Sequence, residues 1–347
     1  MLVDDSPIML HVLQRMLSRS PEIQVVGTAA NGREALDLLP DLNPDVICTD
    51  LHMPVMDGLE FTRAVMDEYP RPILVVSVSV EPGSPNIFRL LEAGAVDILP
   101  KPCDILGSNL DKPASELASK IRILAGVRVF RRRNNGRGTL AATTAPKPAA
   151  IPRPQVPPRI VVIGASTGGP QALREILGSL SARFSLPVVC VQHIGSSFLS
   201  ELVMWLGKIC PLPVRKAAHG ETPQAGVIYF APEDAHLELD EGGCFALSLA
   251  TPFDGHRPSV TVTMRAAARC FGAGTVGVLL TGMGRDGADG MANIAAAGGI
   301  TIAQDEASST VYGMPRQAVE LGVVQHILPL EQIAPTLKTI AESGVNY

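Results

Sequence analysis

Short aliphatic runs alternate with amphipathic helical stretches along most of this 347-residue chain, and the alternation stops once and then restarts. The clearest runs are residues 46–49, 73–76, 160–163 and 276–280. Strands buried on both faces read as continuous aliphatic runs, and strands separated by helices pair in parallel. Aromatic residues are only 4% of the chain, so Val, Ile, Leu and Ala must supply the core. The pattern predicts the α/β class, with two doubly wound parallel sheets.

The alternation is interrupted by a Pro- and Arg-rich segment without acidic residues, between residues 128 and 159. Such a segment cannot bury enough apolar surface to offset its ordering entropy, and its Pro-rich end should be extended. We interpret residues 123–158 as a flexible linker between domains at 1–122 and 159–345; a docking patch is the less favoured interpretation of its arginines. Short β-like runs in residues 214–249 predict a β-hairpin insertion in the second domain.

In the first domain, apolar residues at helical spacing in residues 9–17 predict an amphipathic helix capped by Ser6, with Pro7 in its first position. Further strands are predicted at residues 25–26 and 96–99 of the first domain, and at residues 187–191 and 300–303 of the second domain. Only Met1, Leu2 and Val3 precede the first acidic pair, so the first strand should be short.

Acidic residues stand at the ends of two predicted strands: Asp4 and Asp5 follow the first, and Asp50 follows the third. Ligands of open α/β sheets bind outside these carboxyl ends. Converging carboxylates repel one another unless a cation lies among them, and Mg²⁺ prefers oxygen ligands. Ser77 and Lys101, at the fourth and fifth strands, offer a hydroxyl and a positive charge for phosphoryl oxygens. Helix capping is the alternative for each acid alone, but the set predicts a magnesium-dependent phosphoryl site.

Ser166 is the central residue of a Gly-x-Ser-x-Gly sequence, residues 164–168, that directly follows the run at 160–163. This motif at a strand-to-helix turn exposes a serine hydroxyl, and Pro170 favours the start of a helix. A Gly-rich phosphate cradle is the alternative, and the pentapeptide alone does not decide between them. A nucleophilic serine also needs a base and a carboxylate that orients the base.

His193 is the candidate base because it follows the predicted strand at 187–191. Asp286 is the candidate carboxylate because it lies in a Gly-rich turn after the run at 276–280; Asp289 is less favoured, and capping the next helix is the alternative role of Asp286. The chain order Ser, His, Asp differs from that of α/β-hydrolases. The remaining histidines are favoured less: His11, His52, His219, His236, His256 and His326.

The composition limits which classes of partner and which cellular compartment are expected for this protein. A net charge of -5 argues against nucleic acid, whose binding depends on Lys and Arg. No apolar run approaches the roughly 20 residues of a membrane helix, and the N-terminus lacks the features of a signal peptide. The six cysteines form no CxxC pair and are expected to be reduced. We therefore expect a cytoplasmic protein with no nucleic-acid partner and no membrane insertion.

Four stretches of the first domain resemble the receiver domain of bacterial response regulators: LVDDS, DVICTDLHMPVMDG, ILVVSVS and ILPKP. The resemblance implies a flavodoxin-like fold in which Asp50 accepts a phosphoryl group from a chemotaxis histidine kinase. It implies that Mg²⁺ is bound by Asp4, Asp5, Asp50 and the backbone carbonyl of His52. Ser77 and Lys101 would contact the phosphoryl oxygens.

The second domain resembles the catalytic domain of bacterial chemotaxis protein-glutamate methylesterases, through IGASTGGP, VVCVQH, YFAPEDAHLEL, HRPSV, LLTGMGRDGADGM and GGITIAQDEASSTVYGMP. The resemblance implies a Rossmann-like fold in which Ser166 is the nucleophile and His193 is the general base and then acid. Asp286 would orient His193. Backbone N–H groups near Thr167 and Met283 are the oxyanion candidates, and the esterase step needs no cofactor.

The same resemblance implies that receiver phosphorylation activates hydrolysis of glutamate 5-methyl esters on methyl-accepting chemotaxis receptors, and that receptor glutamines can be deamidated. Two positions depart from the family: residues 194–197 read Ile-Gly-Ser-Ser in place of Met-Pro, and Thr261 replaces an Asp. Both are expected to alter the substrate groove without touching the three catalytic residues. The alternatives are the same esterase acting on a non-chemotaxis receptor, and a non-catalytic output domain.

Overall fold

A computed structural model describes residues 1–78, 86–102, 110–127, 129 and 156–343. The chain divides into two compact units, Met1–Gly138 and Thr139–Tyr347. Most of the predicted linker, residues 130–155, lies outside the described residues.

The first unit is a five-stranded parallel sheet with the strand order β2-β1-β3-β4-β5. Its strands are β1 Leu2–Val3, β2 Thr28–Ala29, β3 Ile47–Thr49, β4 Ile73–Ser77 and β5 Asp97–Pro100. Its helices are α1 Pro7–Leu17, α2 Gly32–Leu42, α3 Gly58–Glu68, α4 Asn86–Ala93 and α5 Asp111–Leu124. This order is that of the flavodoxin-like doubly wound sheet, as expected.

The first helix forms as its sequence predicts. Ser6 Oγ accepts a hydrogen bond from the Met9 N–H at 3.3 Å, and Pro7 lies in the first turn. Its buried face joins the core between the sheet and α5, and consists of Met9, Val12, Leu13, Met16 and Leu17.

The prediction of a strand at residues 25–26 was wrong. Strand β1 offers only Leu2 and Val3 for pairing, and these residues pair with Thr28 and Ala29. Val26 is exposed instead. The pairing partner, rather than local hydrophobicity, therefore sets the position of β2.

The second unit is built on a seven-stranded parallel sheet with the order β14-β13-β12-β6-β7-β9-β8. Its strands are β6 Ile160–Ala165, β7 Val188–Gln192, β8 Val214–Lys216, β9 Ile228–Phe230, β12 Thr275–Leu279, β13 Ile300–Gln304 and β14 His326–Leu328. A separate antiparallel hairpin consists of β10 His236–Leu239 and β11 Phe245–Ser248. The helices are α6 Gly169–Gly178, α7 Leu199–Gly207, α8 Val260–Phe271, α9 Ala288–Ala296, α10 Met314–Glu320 and α11 Leu330–Ser343.

The predicted insertion is only partly a hairpin. Strands β10 and β11 pair as expected, but β8 and β9 extend the main sheet in parallel beyond β7. Strand β14 was not predicted, because its three residues include the exposed Ile327 and read as the tail of an apolar run.

Helices cover both faces of the second sheet, which explains the continuous aliphatic runs. Ile160 and Val162 of β6 belong to the core that holds α8 and α9. Val161 and Ile163, which alternate with them, are also buried. Helices α6 and α11 pack against each other and against β6 and β13.

The topology brings three loops together at one edge of this sheet. Strand β6 lies between β7 and β12, and all three run parallel. Ser166 directly follows β6, His193 directly follows β7, and Asp286 lies in the loop after β12. Their convergence therefore follows from strand order alone.

Candidate functional site

The acidic residues of the first unit meet beyond the ends of β1 and β3. Lys101 Nζ lies 2.7 Å from Asp4 Oδ2 and 2.7 Å from Asp50 Oδ2. Asp50 Oδ1 accepts hydrogen bonds from Ser77 Oγ at 2.7 Å and from the Leu51 N–H at 2.6 Å. Both oxygens of Asp50 are therefore held, and the cluster is buried.

The charges of this pocket suit a divalent cation. Burial raises the pKa of Asp4, although the Lys101 hydrogen bond opposes this. Burial alone would lower the pKa of Lys101, but its hydrogen bonds to Asp4 and Asp50 raise it. One oxygen each of Asp4, Asp50 and the exposed Asp5 lie within 4.8 Å of one another. Three carboxylates against one ammonium group leave negative charge that Mg²⁺ would neutralise. His52 lies exposed in the loop after β3, and its role stays a prediction.

Hydrogen bonds fix the turn that carries Ser166. The Ser166 N–H donates to the Thr281 carbonyl at 3.0 Å, and the Ser166 carbonyl accepts from the Gly169 N–H at 2.8 Å. Gly168 adopts φ 77°, a left-handed conformation that glycine reaches without strain, and α6 begins at Gly169 as expected near Pro170. The result is a tight strand-to-helix turn with Ser166 directly after β6, as the Gly-x-Ser-x-Gly motif predicts.

His193 lies beside this turn and is bonded to Asp286. The backbone N–H of His193 donates to the Ala165 carbonyl at 2.9 Å. The ring nitrogen Nε2 lies 2.9 Å from Asp286 Oδ2. An ionised carboxylate only accepts, so Nε2 must carry the proton. Nδ1 therefore holds the lone pair in the neutral ring; it is buried and has no hydrogen-bond partner. The ring nitrogen that can accept a proton is thus Nδ1 rather than Nε2.

Asp286 is buried at the N-terminus of α8. Its Oδ1 accepts from Ser259 Oγ at 2.8 Å and from the Thr261 N–H at 2.9 Å, and its Oδ2 accepts from the Val260 N–H at 2.8 Å as well as from His193. Burial alone would raise the pKa of Asp286, but the hydrogen bond and charge of His193 and the Thr261 N–H hold it well below its usual range. The carboxylate therefore stays ionised whenever the protein is folded near neutral pH.

In this region the structure excludes one alternative and corrects one expectation. Asp286 does not cap the helix that follows it: Gly287 occupies the cap of α9 without a side-chain bond, and Asp286 binds the N-terminus of α8 instead. Thr261 was expected to stay clear of the catalytic residues, but its N–H binds Asp286 and its Oγ1 accepts from the Gly287 N–H at 2.7 Å. The residue that departs from the family pattern is part of the support for the carboxylate.

The competing candidates are placed elsewhere. His236 is buried and bonded on both ring nitrogens, to the Thr251 carbonyl and the Ser259 N–H. Exposed His219 accepts from the Leu247 N–H. Asp289 forms an exposed ion pair with Arg285.

His256, by contrast, stacks on His193 with ring centroids 3.9 Å apart and an angle of 5° between the planes. The sequence gives no signal that separates His256 from the other lone histidines in or near the β-rich insertion.

Sequence reasoning also missed Gln192. Its Nε2 donates to the Ser166 carbonyl at 2.8 Å and to the His193 carbonyl at 2.9 Å, so one buried amide ties the two turns together. The available signal was its position between a strand and a candidate base.

The oxyanion candidates lie next to the turn that carries Ser166. The Thr167 carbonyl accepts from Thr281 Oγ1 at 2.9 Å. Met283 is 37% exposed, and its N–H makes no hydrogen bond to any described residue. Their role in binding an oxyanion stays a prediction.

The first unit has the sheet order and acidic pocket of a receiver domain, and the second has the turn and His–Asp pair of a serine hydrolase. Residues 1–106 match the response regulator receiver domain family, and residues 161–337 match the CheB methylesterase family. The chain therefore belongs to the CheB methylesterase family and is an enzyme with an N-terminal receiver domain. None of the helices among the described residues combines the length and apolar character needed to cross a membrane.

Named relatives align along nearly the whole chain. A protein-glutamate methylesterase/protein-glutamine glutaminase of Nitrosospira multiformis is 40% identical over 346 residues, 99% of this chain and 97% of the relative. One from Anaeromyxobacter dehalogenans is 43% identical over 340 residues, 98% and 96% respectively. The crystal structure of the Thermotoga maritima CheB methylesterase catalytic domain is 38% identical, with a TM-score of 0.52, and covers 53% of this chain and 100% of that chain.

Asp286→Asn should reduce stability in a pH-dependent way. Because the folded pKa is lowered, the Asp286 contribution is full above the unfolded pKa of about 4 and is lost as pH falls through and below it. We expect a loss of about 1–3 kcal/mol near pH 7 that shrinks below about pH 4. Urea unfolding of wild type and variant between these pH values measures the difference. Asp289→Asn is the control and should change little; a difference for Asp286→Asn that is constant with pH would contradict the assignment.

Gly282→Ala should disturb the turn that carries Ser166. A Cβ at Gly282 would lie 2.7 Å from Ser166 Cβ and 3.1 Å from Ser166 N, and it would collide with Met314 Sδ. Displacing the serine should lower turnover by roughly a hundredfold, with destabilisation of about 1–3 kcal/mol. Esterase assays and thermal unfolding test this. Gly207→Ala, whose Cβ would meet no atom within 4 Å, is the matched control; wild-type turnover by Gly282→Ala would show that the turn has room.

Proposed function

We propose that this chain hydrolyses glutamate 5-methyl esters on methyl-accepting chemotaxis receptors, and that phosphorylation of its receiver domain activates the reaction. The observation that carries the proposal is the buried Asp286–His193 hydrogen bond beside the Ser166 turn. The names of relatives that align along nearly the whole chain supply the substrate class.

In the proposed mechanism, Ser166 Oγ attacks the ester carbonyl carbon while His193 Nδ1 takes the hydroxyl proton. The resulting imidazolium is stabilised by Asp286, whose remaining acceptor sites are already filled by fixed donors. The bond to the methoxy group then breaks, and His193 returns the proton so that methanol leaves. Water, deprotonated by His193, hydrolyses the acyl-enzyme and releases free glutamate and Ser166.

Deamidation of receptor glutamines needs the same acyl-enzyme. The leaving group is ammonia instead of methanol, and His193 protonates it in the same way. The relatives carry both activities in their names, and we propose both for this chain. The N–H groups near Thr167 and Met283 are the proposed oxyanion donors; exposure of Met283 beside the serine turn supports this.

For regulation, we propose that a chemotaxis histidine kinase transfers its phosphoryl group to an Asp50 oxygen, breaking an N–P bond and forming an O–P bond. Asp4, Asp5, Asp50 and the His52 carbonyl would hold Mg²⁺, which supplies charge neutralisation for the transfer. Ser77 and Lys101 already contact the two Asp50 oxygens and would re-bond to phosphoryl oxygens. Exchange of these partners is a local change that biases a two-state element of the chain.

The proposed arrangement is a receiver domain at residues 1–122, a linker at 123–158 and the methylesterase domain at 159–345. Buried free thiols such as Cys48 and Cys190 and the proposed kinase partner suit the cytoplasm.

Ser166→Ala should abolish methanol release from methylated chemoreceptor membranes. Removing the nucleophile of such a site lowers turnover by at least about 10³-fold. Methanol would be measured from wild type and variant, each with and without a small phosphodonor and Mg²⁺. Ser179→Ala, an exposed hydroxyl at the end of α6, is the control and should behave as wild type.

Methanol release that persists in Ser166→Ala would overturn the nucleophile. A wild type that releases no methanol, but still reacts at Ser166 with a fluorophosphonate, would point to a different receptor or ester.

Asp50→Asn should remove stimulation by the phosphodonor and leave the unstimulated rate unchanged. The amide cannot accept a phosphoryl group, and Asp50 is in the other compact unit from Ser166. The assay is methanol release by the full-length chain across a phosphodonor titration. Asp37→Asn on α2 removes an exposed carboxylate and should be stimulated like wild type. Equal stimulation of Asp50→Asn and wild type would refute control through this residue.

A further inference from the structure

We propose that His256 is a positioning residue for the base: its ring, stacked face to face on His193, holds the His193 imidazole in the plane from which Nδ1 takes the Ser166 proton. The inference rests on the proposed function only through the role of His193.

The His193 ring needs a second constraint. Its hydrogen bond to Asp286 fixes Nε2 at 2.9 Å but permits the ring to tilt about the line between these atoms. Nδ1 has no hydrogen-bond partner that would resist the tilt. A misplacement of about 1 Å at a reacting atom can cost roughly a hundredfold in rate. Something other than hydrogen bonding must therefore set the ring plane.

His256 supplies that constraint. Its ring centroid lies 3.9 Å from that of His193, and the planes differ by 5°. At this separation the two faces are in van der Waals contact, so a tilt of His193 would collide with His256 on one edge and lose contact on the other. The contact also keeps water from that face of the base.

The backbone of His256 is itself anchored. The Phe253 N–H donates to the His256 carbonyl at 3.1 Å, and the His256 N–H donates to the Phe253 carbonyl at 3.0 Å. Gly255, at φ 82°, allows the tight turn between them. The Arg265 guanidinium of α8 lies 5.3 Å from the centre of the Phe253 ring and ties the turn to the helix.

One short segment therefore serves both partners of the pair. His256 contacts the face of His193, and Ser259, three residues later, donates to Asp286 Oδ1 at 2.8 Å. The ring plane and the position of the carboxylate that binds Nε2 are set by the same stretch of chain. The Asp286 carboxylate and the His256 ring together specify the orientation of His193 more fully than either does alone.

The test compares His256→Ala with His256→Phe in the full-length chain, since Phe retains a flat ring without ring nitrogens. The first readout is the rate at which a fluorophosphonate labels Ser166. The second is kcat and KM for methanol release from methylated receptors. We expect His256→Ala to lower the labelling rate and kcat about tenfold to a hundredfold with KM changed by less than about twofold, and Phe to restore most of the loss.

His219→Ala, an exposed histidine of the same unit, is the control and should match wild type. Labelling by His256→Ala at the wild-type rate would overturn the proposal. A His256→Phe variant as slow as Ala, with raised KM, would overturn it too, because the ring nitrogens would then be contacting substrate. If Ala lowers the unfolding temperature below the assay temperature, the comparison of Phe with wild type still decides.

Failure of the proposed function is separable from failure of this inference. If wild type labels at Ser166 but releases no methanol from receptors, the substrate proposal fails and the labelling rates still judge His256. If His193→Ala labels as fast as wild type, His193 is not the base and the positioning role fails with it.

Discussion

The candidate site of the second unit depends on a buried negative charge, that of Asp286, whose acceptor positions are all filled by hydrogen-bond donors of the protein. Asp286 accepts four hydrogen bonds, from His193, Ser259 and the first two N–H groups of α8. A buried carboxylate with fewer donors would take up a proton, since desolvation favours the neutral form. The dipole of α8 adds favourable charge at the same point. The tautomer of His193, and with it the ring nitrogen that can accept a proton, follows from this one ionised group.

The sheet topology decides which residues can share such a site. Ser166, His193 and Asp286 are far apart in sequence, but β7, β6 and β12 are neighbours that run parallel. The same rule brings together, at or just beyond the ends of β1, β3, β4 and β5 in the first unit, the side chains of Asp4, Asp50, Ser77 and Lys101. In both units the strands fix position within a rigid sheet, while the loops carry the chemistry.

Sequence reasoning reached the groups at strand ends because aliphatic runs locate strands, and strand ends converge. It placed the Ser6 cap and the helix start near Pro170 because these depend on local chemistry. It failed where position depends on a distant partner. Strand β2 is set by pairing with β1, and β8 and β9 join the main sheet through β7. No local pattern in the sequence states such pairings.

The same limit applies within the candidate site. That Asp286 binds the N-terminus of α8, rather than capping α9, follows from packing between α8 and the loop after β12. Gln192 acts through hydrogen bonds to two backbone carbonyls, and His256 acts through contact with a ring face. Residues whose side chains do the chemistry have recognisable motifs, whereas residues that hold them in place are recognised only in three dimensions.

The two sites treat buried carboxylates in opposite ways, and the difference matches their proposed tasks. Every acceptor position of Asp286 is taken by a fixed donor, so its charge is constant and can only orient and stabilise His193. Asp50 shares the single ammonium of Lys101 with Asp4, whose pKa burial raises. The pocket thus retains uncompensated negative charge, and its stability depends on which ion or group binds in it. A divalent cation would relieve the repulsion, and a phosphoryl group would draw Lys101 and Ser77 away from the carboxylate. A carboxylate cluster with uncompensated charge can change its contacts when one of its members is modified. Asp286, whose acceptor positions are all filled, cannot change its contacts in this way, and a group that orients His193 requires this constancy.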